Sequence, residues 1–460
     1  MRYLILFLIL VASAGADYQR AESLLADVVI NTTLDIHLSP GDILSNVSLA
    51  LFVRPISYGP QKIIAISSEP KGSFGKDSLD FIMHPRQSTP IVVDGTVRMA
   101  ASPQVTSKVV FPIDTIALPS DILVYTKPSA LADSANPLIL TRARTLFTDQ
   151  DDLYFVVQRF AQFAHDTVRY DLTSINKRSK DLASGILLSR DGVCDDISNL
   201  FIALCRSAGI PARFVAGLAY TDNEIFVDPW QPHGWAEVYF PNIGWIPFDP
   251  TFGQYGWVDV SHIKLRESAD SGTPALHLEW TGQGVNVSIS PLDFGVDVLE
   301  VGQDRLPRVG LDVRLSQDTL VFGKDEVLDV VMMNLQGGYE TSTVFLADTE
   351  GLLIKGPNNQ TVVLRPFQSV HMNFTVSLEE VQPQDSIMTY PLLFYGERNF
   401  SMELRSEPGQ VKNPGDEVVL SAKTQIPRFT WEETSEIIKE EKLSFWQWLI
   451  QSINSLFRGL

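Results

Sequence analysis

The chain has 460 residues, 45% hydrophobic and 20% charged, which is the composition of globular protein with room for roughly three domains of ordinary size. Its 36 Lys and Arg against 55 Asp and Glu leave a net charge of −19. Nucleic acid is thereby excluded as a partner, because phosphate recognition needs basic surface.

Arg2, the apolar run Tyr3 to Ala12 and the small residues Ala14-Gly15-Ala16 form the three parts of an export signal over residues 1–16. The run is too short to span a bilayer, and Asp17 ends it. Six Asn-x-Ser/Thr sequons, at Asn31, Asn46, Asn286, Asn359, Asn373 and Asn399, are glycosylation candidates. They flank a stretch, 47–285, that has none. The pattern predicts an exported protein, extracellular or at the cell surface.

Residues 17–130 read as an N-terminal β-sandwich of about seven strands. Asp27–Leu38 and Asn46–Phe52 alternate and are rich in β-branched residues, and Pro/Gly turns punctuate them. Further strands are predicted near Ile91–Met99 and Ser107–Phe111. Between 131 and 272 the period turns helical. Asp151 and Asp152 open a helix to about Val168, with Val156, Val157, Phe160 and Phe163 or Ala164 on one face. A second helix follows Gly192-Val193-Cys194 and carries the stripe Ile197, Leu200, Phe201, Leu204, Cys205 and Ala208. Gly209 and Pro211 stop it, and strands return at Ala212–Ala219, Trp235–Phe240 and Trp245–Phe248.

Residues 273–304 read as connecting strands and 305–426 as an immunoglobulin-like sandwich. The segment 427–460 is a charged linker followed by an amphipathic helix. Phe445, Trp446, Leu449, Ile450, Ile453, Leu456, Phe457 and Leu460 share one side of it, opposite Gln447, Gln451, Asn454 and Arg458. Residues 443–460 are therefore made to lie on something apolar: the protein's own sandwich, an oligomer partner, or the outer face of the exporting membrane as a peripheral contact.

The two cysteines, Cys194 and Cys205, are 11 positions apart on one helix. That is about 16 Å along the axis, and a disulfide reaches about 7 Å between Cα atoms. They cannot pair, so at least one free thiol of an exported protein needs a function. Cys194 stands in the first helical turn, where unpaired N–H groups and the helix dipole favour a thiolate. An ordinary thiol, with a pKa of about 8.5, is mostly protonated at neutral pH. Asp195 and Asp196 oppose ionisation, so an imidazole must do much of the activation.

His233 heads the first strand of a hairpin and Asp249 ends the second, across the turn Pro241-Asn242-Ile243-Gly244. Ala236, Val238, Phe240, Ile246 and Phe248 form its core faces. With Tyr239 opposite Trp245, His233 and Asp249 share the other face, where the carboxylate can hold the imidazole. The backbone N–H of Cys194 is the natural first oxyanion donor. Trp230 and Trp235 are cleft candidates, Trp230 either as an indole donor or as a hydrophobic lid. Cys205 reads as a buried small hydrophobe and Arg213 as a structural ion-pair partner. Lys177, Arg178 and Lys180 read as a solvated loop near the cleft. His37, His84, His165, His262, His277 and His371 show no ligand spacing, so neither a metal site nor a cofactor is predicted.

The segments DGVCDDISNLFIALCRSAGIPARFVAG at 191–217 and HGWAEVYFPNIGWIPFDPT at 233–251 resemble the transglutaminase-like core of the papain-like thiol enzymes, over about 140 of the 460 residues. The resemblance implies an α+β fold, here a transglutaminase-like core flanked by two all-β sandwich domains and the C-terminal helix. It also implies a Cys194 nucleophile, a His233 base, an orienting Asp249, and a thioester acyl-enzyme released to an amine or to water. Animal cross-linking transglutaminases carry Gln and Trp beside the cysteine, whereas Val193 and Asp195 stand here, and their calcium loops have no counterpart. The expectation is an exported cysteine hydrolase acting on a peptide or protein. Its rivals are protein-glutamine acyl transfer and a cell-surface binding or scaffold protein with a vestigial triad.

Overall fold

In the computed structural model, residues 18–148, 151–172, 182–223, 226–315, 319–321, 325–349, 351–378, 389–395, 400–405, 417–419 and 421–424 are described. The export signal, the Lys177–Arg178–Lys180 cluster, Asn399 and the C-terminal helix expected from the sequence lie outside them. The chain divides into two compact units. One comprises residues 1–103, 112–148 and 159–305; the other comprises 104–111, 149–158 and 306–460.

The first unit begins with six strands: β1 (Ser23–His37), β2 (Ile43–Leu51), β3 (Gln61–Glu69), β4 (Ser73–Phe74), β5 (Leu79–Met83) and β6 (Thr89–Ala100). Every second side chain of β1 is buried, as its alternation requires when one face meets a core. Two short parallel strands, β7 (Arg169–Tyr170) and β8 (Asp191–Gly192), precede the cysteine helix. Five more strands, β9 (Ala212–Tyr220), β10 (Trp230–Phe240), β11 (Gly244–Asp249), β12 (Gln254–Tyr255) and β13 (Ile263–Ser268), form one sheet in the order β12-β11-β10-β9-β13.

The segment expected as a connection, 273–304, holds β14 (Leu276–Gln283), β15 (Asn286–Ile289) and β16 (Asp293–Val301). These strands return to the start of the chain: β14 pairs with β2, and β15 and β16 pair with β1. The resulting sheets are β15-β1-β6-β3, with β16 on β1, and β14-β2-β5-β4. One hydrophobic cluster joins Leu24, Val28, Leu49 and Val93 of these sheets to Leu218, Ile263 and Leu265 of the five-stranded sheet. At about 1.5–3 kcal/mol per fully buried aliphatic side chain, this shared core makes a single folding body of both. The expected strand Ser107–Phe111 does not form. Val110 makes only an isolated bridge to Asp152, and residues 115–126 coil into short helical turns where Pro112 and Pro119 interrupt pairing.

The helix Cys194–Ser207 buries Ile197, Leu200, Phe201, Leu204 and Cys205 and packs on β9 and β10. Gly209 ends it at φ +77°, a left-handed conformation that favours glycine. Arg206, buried, donates to the carbonyls of Ala212, Lys127 and Ala269 and so holds the Gly-Ile-Pro-Ala turn against the helix. The hairpin has the expected register, Tyr239 opposite Trp245. Its core faces are fully buried, but so are Trp235, Glu237 and Asp249 on the other face. That second face is covered by an ionic cluster. Lys264 Nζ lies 2.7 Å from Glu237, Arg213 lies 2.6 Å from the same carboxylate, and both also pair with Glu267. Two cations and two carboxylates balance, which is what allows Lys264 to be wholly buried. Arg213 is thus the ion-pair partner expected from the sequence.

The second unit has antiparallel sheets at 309–378 and 340–424, around a core that includes Leu328, Val330, Leu346, Leu364 and Phe374. The start of the helix Leu153–Thr167 is part of this unit. Tyr339 donates to Asp152 at 2.6 Å, and the Tyr154 and Tyr339 rings lie 4.8 Å apart. Among the sequon asparagines, Asn286, Asn359 and Asn373 are exposed, while Asn31 and Asn46 are half-buried in β1 and β2.

Candidate active site

Cys194 is the first residue of its helix and half-buried. The Asp196 carboxylate accepts the Val193 backbone N–H at 3.0 Å, so this acid caps the helix that presents the thiol. Asp195 Oδ1 lies 3.9 Å from Cys194 Sγ. Cys205 is fully buried, and burial pushes its pKa well above that of an ordinary thiol, leaving a protonated core residue.

His233 and Asp249 occupy neighbouring strands at diagonal positions on one face. His233 Nε2 lies 2.7 Å from Asp249 Oδ2, which leaves Nδ1 as the nitrogen for the thiol, and the imidazole lines the same cavity as Cys194. The ring stacks on Phe252 at 4.6 Å and on Trp235 at 6.1 Å. Burial acts most strongly on His233 and disfavours its charge. The charge and hydrogen bond of Asp249, with those of Cys194, outweigh it and push the pKa up to about 10. Asp249 is fully buried, which alone would raise its pKa. The His233 imidazolium, together with hydrogen bonds from His233 and His262, instead holds it well below the usual carboxylate range. The other oxygen, Oδ1, accepts the backbone N–H groups of Thr251 at 2.8 Å and Phe252 at 3.2 Å.

Two residues that spacing did not single out join the site. Tyr170 pairs with Gly192 across β7 and β8, two residues before Cys194, and lines the same cavity as Cys194. Burial first, then the negative charges of Cys194, Asp195 and Asp249, raise its pKa, so it remains a donor. His262 Nε2 lies 3.1 Å from Asp249 Oδ2, on the same oxygen that His233 meets. The only sequence signal for it is Asp259 three positions earlier, whose carboxylate lies 3.2 Å from His262 Nδ1.

The two expected cleft tryptophans lie elsewhere. Trp230 packs with Tyr18 and Tyr220 in the hydrophobic core, and Trp235 is buried behind His233. Neither is among the residues lining the cavity of about 1040 Å3 that Cys194, His233, Tyr170, Phe214, Phe226 and Phe252 share. The donor atoms of His233, Asp249 and His262 lie within 4.8 Å of one another, close enough to reach one cation. Spacing alone did not reveal that cluster, and the hydrogen bonds above account for each of its contacts.

The Transglutaminase-like superfamily model matches residues 141–250, the stretch that carries Cys194, His233 and Asp249. Residues 141–250 are a transglutaminase-like domain. The chain is 32% identical over 158 residues to the uncharacterized protein YebA of Bacillus subtilis, covering 31% of this chain and 21% of that protein. It is 30% identical over 96 residues to a protein-glutamine gamma-glutamyltransferase of Pseudomonas aeruginosa, covering 20% of this chain and 14% of that one. The chain thus spans about a fifth or less of the length of these two relatives. Among solved structures, a Cytophaga hutchinsonii protein whose cysteine-protease assignment is provisional aligns with a TM-score of 0.45 at 20% identity, over 62% of this chain and 93% of that one. A red sea bream transglutaminase aligns with a TM-score of 0.23 at 12% identity, over 87% of this chain and 80% of that one.

Proposed function

We propose that the transglutaminase-like domain is a thiol hydrolase that cleaves peptide or amide bonds, in a protein exported by the signal pattern of residues 1–16. The 2.7 Å His233–Asp249 bond behind a half-exposed Cys194 on an open cavity carries this reading. The Cys194 proton already resides on His233 Nδ1 in the thiolate–imidazolium pair, and the Cys194 thiolate attacks the substrate carbonyl. The tetrahedral oxyanion is held by the Cys194 backbone N–H and the Tyr170 hydroxyl. As the intermediate collapses, the C–N bond breaks, and the leaving amine takes the proton from His233. His233 then removes a proton from water, which attacks the thioester and frees the acid and the thiol. Asp249 stays ionised and fixes the imidazole throughout.

Transfer of the acyl group to an amine in place of water is the second reading. It is favoured by the likeness to the Pseudomonas protein-glutamine gamma-glutamyltransferase. Hydrolysis is preferred because Val193 and Asp195 replace the Gln and Trp that flank the cysteine of animal cross-linking enzymes. Incubating the purified protein with mixed peptides and a primary amine, against Cys194→Ala, separates these readings. Hydrolysis yields free carboxylates and transfer yields amine adducts. Identical peptide profiles for both proteins would instead leave a scaffold with a vestigial triad.

A further inference from the structure

We infer that His262 is a positioning residue for the thiol–imidazole pair: a second imidazole, held by Asp259, that shares the Asp249 carboxylate with His233 and fixes its aim. The inference rests on the function proposed above and adds a residue to it.

The geometry is specific. Asp249 is fully buried, with Oδ1 occupied by the Thr251 and Phe252 N–H groups. Oδ2 meets His233 Nε2 at 2.7 Å and His262 Nε2 at 3.1 Å. The remaining His262 nitrogen faces Asp259 Oδ1 at 3.2 Å. A neutral imidazole has one N–H, so one lone pair would then face a carboxylate oxygen. Only the doubly protonated ring donates to both carboxylates. Asp259 is itself fixed, accepting from the Ser261 backbone N–H at 2.8 Å and from Gln254 Nε2 at 2.6 Å.

The groups that face His262 are Asp249, Asp259 and His233, with the edges of Trp235 and Phe252 at 5.3 and 5.6 Å. Lys264, two residues on, is engaged by Glu237 and Glu267. Burial acts first on His262 and against its charge, but Asp259 and Asp249 outweigh it and bring its pKa up to about 9. With both rings protonated, the row His233–Asp249–His262–Asp259 is two cations and two anions. The positive His262 offsets part of the pull of Asp249 on the His233 proton, which His233 must release to the leaving amine. Without it, protons bind more tightly at His233 and Cys194 alike.

The test is the rate of Cys194 alkylation by iodoacetamide from pH 4 to 10, in the wild type, His262→Gln, Asp249→Ala and the double variant. Gln keeps one donor for Asp249 and removes the charge. His262→Gln should move the midpoint to higher pH by about one unit, and should cause no further shift in the Asp249→Ala background. A slower rate with an unmoved midpoint, or the same shift without Asp249, would overturn the inference. Should His262→Gln fail to fold, 15N imidazole shifts of the wild-type protein decide: a doubly protonated His262 at pH 7 upholds it, and a neutral ring rejects it. A wild-type thiol insensitive to His233→Ala would defeat the proposed function instead, and the imidazole shifts would still report on His262.

Discussion

Each oxygen of the Asp249 carboxylate has a separate task, one anchored by backbone N–H groups and the other presented to two imidazoles. Asp249→Asn keeps the volume and loses the charge, so kcat/KM should fall by about 10^2- to 10^4-fold, and the melting temperature should fall with it because the buried imidazoliums lose their counter-ion. Tyr170→Phe removes one oxyanion donor and should lower kcat by about 10- to 100-fold at nearly constant KM. The titrations also make a stability prediction. The folded pKa values of His233 and His262, about 10 and about 9, are raised above the 6.5 of the unfolded chain. Their stabilisation is therefore complete below about pH 6.5 and is lost as pH rises through 9 to 10. Asp249 and Asp259 are depressed, so theirs is present above about pH 4 and lost only in stronger acid. Melting temperature should fall between pH 7 and 10 more steeply in the wild type than in a His233→Ala, His262→Gln variant; parallel profiles would contradict this.

At the scale of elements, the site depends on how closely the cysteine helix approaches β10. A Cβ at Gly234 would stand 2.4 Å from Asp195 Oδ1 and 2.5 Å from the Phe214 ring, so a larger residue would push both side chains aside. Gly234→Ala should destabilise the protein by about 1–3 kcal/mol in urea unfolding and slow the reaction of Cys194. A variant of wild-type stability and reactivity would refute that reading of the contact. The hairpin and its two faces were legible in the sequence, because alternation and a four-residue turn require an even register for His233 and Asp249 to share a face, and the structure pairs Tyr239 with Trp245. His262 was not legible. It reaches Asp249 through a loop and a sheet edge, and no local period marks it. Tyr170 was hidden for the same reason, since only the pairing of β7 with β8 brings it beside Gly192.

Over the whole molecule, the sequence pointed to consecutive domains, whereas both compact units are discontinuous in the chain. Residues 104–111 and 149–158 join the later unit, where Val105 accepts the Tyr339 backbone N–H and Asp152 its hydroxyl. Residues 286–289 and 293–301 add to β1 at the start of the chain, and no local pattern reports which distant strand an edge will accept. No helix among the described residues is long and apolar enough to cross a membrane. The amphipathic pattern of 443–460 lies outside those residues. A peripheral anchor at residues 443–460 predicts that deleting them moves the protein from the membrane to the soluble fraction of fractionated cells; unchanged partitioning would contradict such an anchor.

The proposed activation of Cys194 by His233, held by Asp249, is directly measurable. At pH 6 an ordinary thiol is well under one per cent thiolate. The alkylation rate of Cys194 by iodoacetamide at pH 6 should exceed that of free cysteine by about 10- to 100-fold and collapse in His233→Ala. A wild-type rate equal to that of free cysteine, unchanged by His233→Ala, would show that this imidazole does not activate the thiol.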